Sequence, residues 1–151
     1  MESSFDDKDM KILDVLRENS KLSTQMISKK TLIPITTVHY RIKKLRSEGI
    51  IDKYTIKINH KKLGKDVLAY AFFVPNYDIL KEENMHLEDI VEKIKKHPCV
   101  EEAAIITGFK DVLLKIRVKD IEELNNFVVG YLQKINEVSR TETLIVLKDL
   151  D

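Results

Sequence analysis

Residues 23–52, STQMISKKTLIPITTVHYRIKKLRSEGIID, contain two helical patterns separated by a tight break. Ser23 is a typical N-cap, and the short segment after it has helical periodicity, with Met26 and Ile27 predicted to point inward. Residues 32–35, which include a proline, interrupt this pattern before a second helix begins. A short helix, a tight turn and a second helix are typical of a helix-turn-helix.

The second helix, predicted over residues 36–48, is apolar on one side and basic on the other. At about 100° per residue, Val38, Ile42 and Leu45 form one buried stripe. The remaining positions hold cationic side chains that can neutralise phosphates, and hydroxyl, His and Tyr side chains that can approach base edges. A solvated basic helix would have the same composition, but the preceding helix and turn favour DNA binding. The candidate DNA-binding residues are Thr36, Thr37, His39, Tyr40, Arg41, Lys43 and Lys44.

Further elements complete a small N-terminal domain. Asp6 and Asp7 are placed to cap an earlier amphipathic helix, which gives a trihelical core. Gly49 is a candidate C′ residue after the second helix, and alternation over residues 54–58 predicts a strand, either a wing or a connector. We therefore expect a helix-turn-helix domain over residues 1–52, a hinge strand and linker over 53–66, and a second domain over 67–151.

Charge is divided along the chain. Residues 29–62 hold ten Lys or Arg against two acidic side chains, a net charge of +8. Residues 67–151 hold eleven basic against sixteen acidic side chains, a net charge of −5, so the overall +1 hides two opposite halves. A basic segment beside an acidic one indicates that the first binds nucleic acid and the second binds protein or a small ligand.

The second half alternates strands and helices. Strands are predicted over 68–74, 100–107, 112–118 and 143–147, with helices over 86–97 and after Asp120. This is the β-α-β-β-α-β order of a ferredoxin-like fold, so the fold class is α+β. Two helices cover only one face of a four-stranded sheet, yet the first and last strands are apolar on both faces. We therefore expect a second copy to cover the other face in a two-fold dimer.

Cysteine content and hydropathy indicate the compartment. A single cysteine excludes an intrachain disulfide and fits a reducing compartment. No apolar run approaches the ~20 residues that cross a bilayer, and the acidic N-terminal segment does not resemble a secretory signal, so we expect a cytoplasmic protein without a membrane partner.

His97 and Cys99 lie close in sequence, but no second cluster completes a metal site. We predict neither a metal nor a cofactor. For His39, a solvent-exposed position without a DNA contact is an equal alternative.

Segments of both halves together resemble one known family. The segments are TTVHYRIKKL at 36–45, EGII at 48–51 and the turn TGFKD at 107–111. In this order they resemble the Lrp/AsnC family, the leucine-responsive or feast/famine transcriptional regulators, over roughly residues 6–148. The resemblance implies an N-terminal winged helix-turn-helix, a hinge strand and a C-terminal ligand-responsive domain, the RAM domain. Such a domain dimerises and often builds larger rings such as octamers.

The resemblance also implies a function and a ligand site. It describes a sequence-specific transcriptional regulator, not an enzyme, that binds double-stranded DNA and responds to a small metabolite such as an amino acid. Carried over by position, the candidate effector-binding residues are Thr107, Gly108, Phe109, Asp111, Thr141 and Thr143. A purely structural turn is an equal alternative for Gly108 and Asp111, because glycine geometry and amide capping would explain both.

The chain departs from the family pattern at several positions. The helix-turn-helix turn usually has a Gly and then a Ser N-cap, where this chain has Leu32 and Pro34. We therefore expect Thr36 to cap the second helix at a shifted start. Glu137 stands where a Gly is frequent, and the connector over residues 76–85 is longer than usual.

Two other functions fit the same outline. Tetrapyrrole-pathway decarboxylases share the two-module architecture, but this chain has no His-rich or Arg-rich pocket motif and its sheet half is acidic. A metabolite-sensing oligomer that no longer binds DNA is supported only by Leu32 and Pro34 in the turn. Selection of bound fragments from genomic DNA separates this sensor from a DNA-binding regulator.

Overall fold

The computed structural model describes residues 5–150 and divides the chain into two compact units, one ending at Ile58 and the next beginning at Asn59. Each unit has its own hydrophobic core. Within the described residues, no helix is both long enough and apolar enough to cross a bilayer.

Within its described residues, the first unit consists of three helices, as the sequence predicted: α1 (Asp7–Glu18), α2 (Thr24–Thr31) and α3 (Ile35–Ser47). All three helices and the turn between α2 and α3 contribute to its core, which consists of Ile12, Leu16, Ile27, Ile33, Val38 and Leu45. The inward orientation predicted for Met26 is wrong, since this side chain is exposed while the adjacent Ile27 is buried. An eight-residue helix has room for one narrow buried stripe, and Ile27 occupies it.

Local hydrogen bonds fix the ends of these helices. Asp6 is the N-cap of α1, and its carboxylate accepts from two backbone amides of the first turn at 2.9 and 3.1 Å. Ser23 caps α2 as predicted, by accepting from the amide of Met26. Gly49 adopts a φ of 73° after α3, which is the left-handed conformation predicted for a C′ residue.

The turn between α2 and α3 is formed by Leu32 and Pro34. Leu32 ends α2 in the left-handed region, at a φ of 58°. The prediction that Thr36 caps α3 is wrong, because Pro34 is the N-cap and its carbonyl accepts the first helical hydrogen bond at 3.0 Å. Proline suits this end of a helix because it has no N–H to leave unsatisfied and its φ is fixed.

Residues 52–59 have no regular structure within the single chain. The strand predicted over 54–58 is therefore not formed among the described residues, although Tyr54, Ile56 and Ile58 alternate as expected and are exposed. A strand is stabilised by backbone pairing with a neighbour, and hydrophobic alternation alone does not supply one.

An antiparallel four-stranded sheet forms the centre of the second unit. Its strands are β1 (Val67–Pro75), β2 (Val100–Ile105), β3 (Val112–Val118) and β4 (Val138–Ile145), in the spatial order β2-β3-β1-β4. The main helices are α5 (Leu87–Lys95) and α6 (Ile121–Val128), and 3₁₀ turns occur at Lys61–Leu63 and Leu132–Lys134. This confirms the predicted ferredoxin-like order of strands and helices.

Two elements of the second unit differ from the prediction. A short helix, α4 (Tyr77–Glu82), occupies the long connector after β1 and is capped by the Asn76 side chain. β4 begins at Val138, five residues before the predicted start at 143. Three of the first five residues of this edge strand are polar and exposed, so they gave no apolar signal.

The two faces of the sheet differ in exposure. The face toward the helices is the core, with Ala69, Ala71, Phe73, Val112, Leu114 and Ile116 all completely buried. The opposite face, here called the open face, has two apolar pairs in register, Tyr70 with Leu144 and Phe72 with Leu113. Leu144 is 52% exposed and the other three are half-buried. The open face therefore has an apolar centre that a single chain leaves partly accessible.

Candidate nucleic-acid interface and ligand site

Helix α3 has a buried side and an exposed side. Val38 and Leu45 are completely buried and Ile42 is half-buried, so the predicted stripe holds the helix in the core. Tyr40, on the other side, is 68% exposed. Among the candidate DNA-binding residues, the exposed ones are Thr36, His39, Tyr40 and Lys43, and the half-buried ones are Thr37, Arg41 and Lys44.

A shallow groove lies along one side of α3, between this helix and the start of α2. We name it the α2 flank; it is lined by Thr24, His39, Ile42, Lys43, Arg46 and Ser47. None of these six lining residues is acidic, and the Arg46 guanidinium lies 5.8 Å from the centroid of the Tyr54 ring. Arg46 was not among the sequence candidates; the helical angle places it, like Arg41, near an edge of the apolar stripe. Its long side chain nevertheless reaches solvent.

The other side of α3, named the α1 flank, is a smaller concavity lined by Phe5, Asp6, Tyr40, Arg41 and Lys44. Here the Arg41 guanidinium donates two hydrogen bonds to the Asp6 carboxylate, at 2.7 and 2.8 Å. It also lies 2.9 Å from the carboxylate of Asp9, which is only 1% exposed. The Lys44 ammonium lies 3.9 Å from the carboxylate of Glu48. Both cations of this flank therefore have carboxylate partners within the first unit.

The ion pair also shifts the protonation equilibria of its members. Desolvation opposes ionisation of Asp6, but hydrogen bonds from Arg41 and from two backbone amides outweigh it and lower the pKa of Asp6. Hydrogen bonds to Asp9 and then to Asp6 raise the pKa of Arg41. At neutral pH, Arg41 is therefore charged and engaged with two carboxylates.

The turn between β2 and β3 is built by backbone hydrogen bonds. The amide of Ile106 donates to the carbonyl of Asp111 at 2.8 Å, and the amide of Asp111 donates to the carbonyl of Phe73 in β1 at 3.3 Å. Gly108 adopts a φ of 137°, a conformation that favours glycine. Phe109 is 100% exposed. The turn therefore has glycine-dependent geometry and exposes an aromatic side chain near its tip.

The other two candidate effector residues lie across β1 from this turn. Thr141 and Thr143 of β4 pair in register with Phe73 and Ala71 of β1, whereas the turn leads into β3 on the other side of β1. The Thr141 hydroxyl also accepts a hydrogen bond from the Gln133 side chain at 2.9 Å. Within a single chain, the candidate effector residues are thus divided between two sides of one strand.

Two side chains near this turn were not among the sequence candidates. The Lys110 ammonium lies 2.9 Å from the Glu142 carboxylate, which connects the turn to β4 across β1. Burial and, secondarily, the Asp111 carboxylate raise the pKa of Tyr77, the first residue of α4. Lys110 could have been identified from the sequence, because it is a charged residue inside a glycine-containing turn. No sequence pattern indicates Tyr77.

His97 and Cys99 belong to a packed cluster. The Nδ1 of His97 lies 3.1 Å from the Cys99 sulfur, and its ring centroid lies 4.8 and 4.9 Å from those of Phe127 and Tyr131. Burial, and then the charge of Glu123, raise the pKa of Cys99 to about 12, so its thiol is protonated at neutral pH. Across residues 5–150, no group of three or more His, Cys, Asp or Glu side chains could hold a metal ion.

Two family models match the chain, in the order of its two units. A winged helix-turn-helix DNA-binding model matches residues 5–52, and the Lrp/AsnC ligand binding domain model matches residues 79–151. The chain belongs to the Lrp/AsnC family. This confirms the resemblance inferred from the sequence motifs, and it makes the chain a DNA-binding transcriptional regulator with a helix-turn-helix.

Curated relatives of this regulator match over nearly their full length. The HTH-type transcriptional regulator FL11 of Pyrococcus furiosus is 36% identical over 148 residues, which cover 98% of this chain and 93% of that protein. An uncharacterized HTH-type transcriptional regulator of the same organism is 39% identical over 145 residues, covering 96% of this chain and 94% of that protein.

Solved structures of related regulators have the same fold. A Neisseria meningitidis transcriptional regulator, solved as a complex with L-Met, matches with a TM-score of 0.88 at 25% identity, covering 98% of this chain and 93% of that chain. E. coli AsnC matches with a TM-score of 0.82 at 26% identity, covering 97% and 95%. None of these relatives favours the decarboxylase or the sensor without DNA binding.

Proposed function

We propose that this Lrp/AsnC regulator binds specific DNA sites as a dimer, with α3 in the major groove, and that an amino acid modulates its binding. The observation that carries the proposal is α3 itself. Its hydroxyl-bearing and cationic side is exposed while its aliphatic stripe is held in the trihelical core. A helix of ~10–12 Å diameter fits the major groove of B-DNA.

The residues of α3 divide between two kinds of DNA contact in this proposal. Lys43 and Lys44 attract phosphates, which contributes affinity for any sequence. Thr37, His39 and Tyr40 contact base edges, where the loss of one good contact costs ~1–3 kcal/mol and changes the preferred site.

A second copy of the chain is the proposed cover of the open face. The pairs Tyr70 with Leu144 and Phe72 with Leu113 form a continuous apolar centre on this face, and packing it against the same face of a two-fold partner removes it from water. A dimer also supplies two α3 helices, which can bind half-sites about one DNA turn (~34 Å) apart.

An amino acid is the proposed effector, bound at the end of the sheet that carries the β2–β3 turn. The L-Met complex of the Neisseria meningitidis regulator supports this class of ligand. In this chain, the half-buried Asp111 carboxylate, which also interacts with the Tyr77 hydroxyl, supplies a negative charge for an ammonium group, and Thr107, Thr141 and Thr143 offer hydroxyl groups. Because β1 separates the two sets within one chain, we propose that a neighbouring copy completes the site.

Selection of bound fragments from genomic DNA, with and without a panel of amino acids that includes L-Met, tests the proposal. We expect a defined set of fragments to be enriched, and at least one amino acid to change the enrichment. Failure to enrich any fragment above the input would overturn DNA-site recognition, and an unchanged set across the panel would overturn the effector assignment.

A double variant tests the role of α3 directly. In gel shifts, Lys43→Ala/Lys44→Ala should bind all DNA more weakly, because phosphate attraction is lost. The matched control is Lys95→Ala/Lys96→Ala, which removes the same charge from the second unit. Unchanged binding by the α3 variant, or equal weakening by the control, would remove α3 from the interface.

A further inference from the structure

The two flanks of α3 differ in how far nearby carboxylates already neutralise their cations. On the α1 flank, Arg41 contacts Asp6 and Asp9, and Lys44 lies near Glu48. On the α2 flank, Lys43 and Arg46 have no carboxylate in ion-pair contact anywhere in the described range, 5–150. A phosphate group would therefore meet fully uncompensated positive charge on the α2 flank, whereas on the α1 flank Arg41 is neutralised and Lys44, 3.9 Å from the partly exposed Glu48, keeps only a weaker attraction.

The geometry of Arg41 leaves little capacity for a phosphate. One terminal nitrogen contacts both carboxylates and the other donates to Asp6, so both ends of the guanidinium fork are used. The side chain is only 20% exposed. With two carboxylates and one guanidinium the cluster has a net charge of −1, and the half-exposed Asp6 side chain would repel an approaching phosphate.

The same contacts connect two helices that are far apart in sequence. Asp6 is the N-cap of α1, Asp9 lies within α1, and Arg41 lies at the middle of α3. Because Asp9 is buried, its charge depends on Arg41 for compensation. Arg41 therefore fixes the position of α3 against α1.

The α2 flank has the opposite character. Lys43 and Arg46 project from α3 on this side, and the hydroxyls of Thr24 and Ser47 line the same groove. Cations and hydroxyls without nearby carboxylates are the donors that hold the sugar-phosphate backbone in protein–DNA complexes.

We propose that Lys43 and Arg46 bind the DNA backbone on the α2 flank, and that Arg41 is a positioning residue that holds α3 against α1 and makes no phosphate contact. This inference rests on the proposed function, since it requires that α3 contacts DNA. It adds Arg46 to the interface and assigns Arg41 a different role from the other candidates.

The salt dependence of DNA affinity tests the assignment, because each lost phosphate contact reduces the slope of log affinity against log salt by about 0.9. Lys43→Gln and Arg46→Gln should each reduce the slope by about one for every α3 that contacts DNA. Arg46→Lys keeps the positive charge, so its slope should equal that of the unsubstituted protein. Arg41→Gln should leave the slope unchanged while lowering the melting temperature and the preference for the selected site over scrambled DNA. A slope reduced by Arg41→Gln, or unchanged by both Lys43→Gln and Arg46→Gln, would overturn the proposal.

Arg41→Lys keeps the test decisive if Arg41→Gln does not fold. A residue acting only as a cation toward phosphate would tolerate lysine, with melting temperature and site preference intact. If Arg41 instead positions α3, lysine cannot reproduce its bidentate contacts, so both the melting temperature and the site preference should fall. Intact values for Arg41→Lys would overturn the positioning role.

Failure of the proposed function gives a different result. If the unsubstituted protein shows no preference for any selected site, DNA-site recognition itself is wrong. If it shows that preference and only the pattern of slopes is reversed, the flank assignment alone is wrong.

Discussion

Leu32 has a backbone conformation that costs free energy. Its φ of 58° lies in the left-handed region, where the Cβ of a non-glycine residue costs roughly 1–2 kcal/mol. The side chain is 90% exposed, so it returns little packing energy. The turn is stabilised instead by the burial of the Ile33 side chain and by a 2.6 Å hydrogen bond from the Ser28 hydroxyl to the Ile33 carbonyl. The strain is therefore offset by neighbours and not by Leu32 itself.

Leu32→Gly should stabilise the first unit by about 0.5–1 kcal/mol, because the relief of left-handed strain exceeds the extra entropy of glycine in the unfolded chain. Amide hydrogen exchange in α2 and α3 of the full chain measures the change. Leu32→Ala is the control, since it removes the exposed side chain but keeps the Cβ that causes the strain. An equal gain from alanine, or faster exchange with glycine, would contradict the explanation.

For α3, helical periodicity predicted the direction of each side chain but not its partner. Val38 and Leu45 are buried as expected, because burial of a stripe follows from spacing along a single helix. Arg41 was placed near the edge of this stripe, but its partner Asp6 lies 35 residues earlier in the chain. Local spacing contains no information on such a contact. The exposure of Arg46 was missed for a different reason. A long side chain can extend away from the direction that its Cα position on the helix predicts.

At the level of elements, strong periodicity gave correct predictions where a strand pairs within the chain, and weak periodicity did not. β3 alternates buried and half-buried residues over its whole length, and its predicted bounds are those observed. α4 has only six residues, which is too short for a helical pattern to stand out. β4 begins in exposed polar residues at a sheet edge, where no apolar face is required. The 54–58 segment alternates like a strand, but pairing depends on a neighbour that its own sequence does not specify.

Leu144→Lys should dissociate the proposed dimer, because it places an ammonium group in the apolar centre of the open face. The adjacent Ile145 is the matched control. It is 46% exposed, close to the 52% of Leu144, but it pairs with Ala69 on the helix-covered face. Sedimentation velocity at several protein concentrations should show a monomer for Leu144→Lys and an unchanged dimer for Ile145→Lys. Dissociation by both variants, or by the control alone, would place the interface elsewhere.

Across the whole molecule, opposite charge separates two tasks. The basic segment at 29–62 has a net charge of +8, whereas residues 67–151 have a net charge of −5. DNA attracts the first and repels the second, so the sheet unit is kept available for protein and small-molecule contacts. In the proposed function, effector and DNA bind to different units, and any influence of one on the other is a coupling free energy. Such a coupling is reciprocal by thermodynamic necessity.

Reciprocity makes the effector proposal testable with one substitution. Asp111→Asn keeps the backbone hydrogen bonds of the turn but removes the carboxylate proposed to bind an amino-acid ammonium. We expect amino-acid affinity to fall by about tenfold, as for a lost charge-assisted hydrogen bond, with DNA affinity in the absence of amino acid unchanged.

In the unsubstituted protein, the factor by which the amino acid changes DNA affinity should equal the factor by which DNA changes amino-acid affinity. Calorimetry with L-Met and the active members of the panel, combined with gel shifts, measures both factors. Asp66→Asn, an exposed change of the same charge, is the control, and an Asp111→Asn protein with a full amino-acid response would show that the effector binds elsewhere.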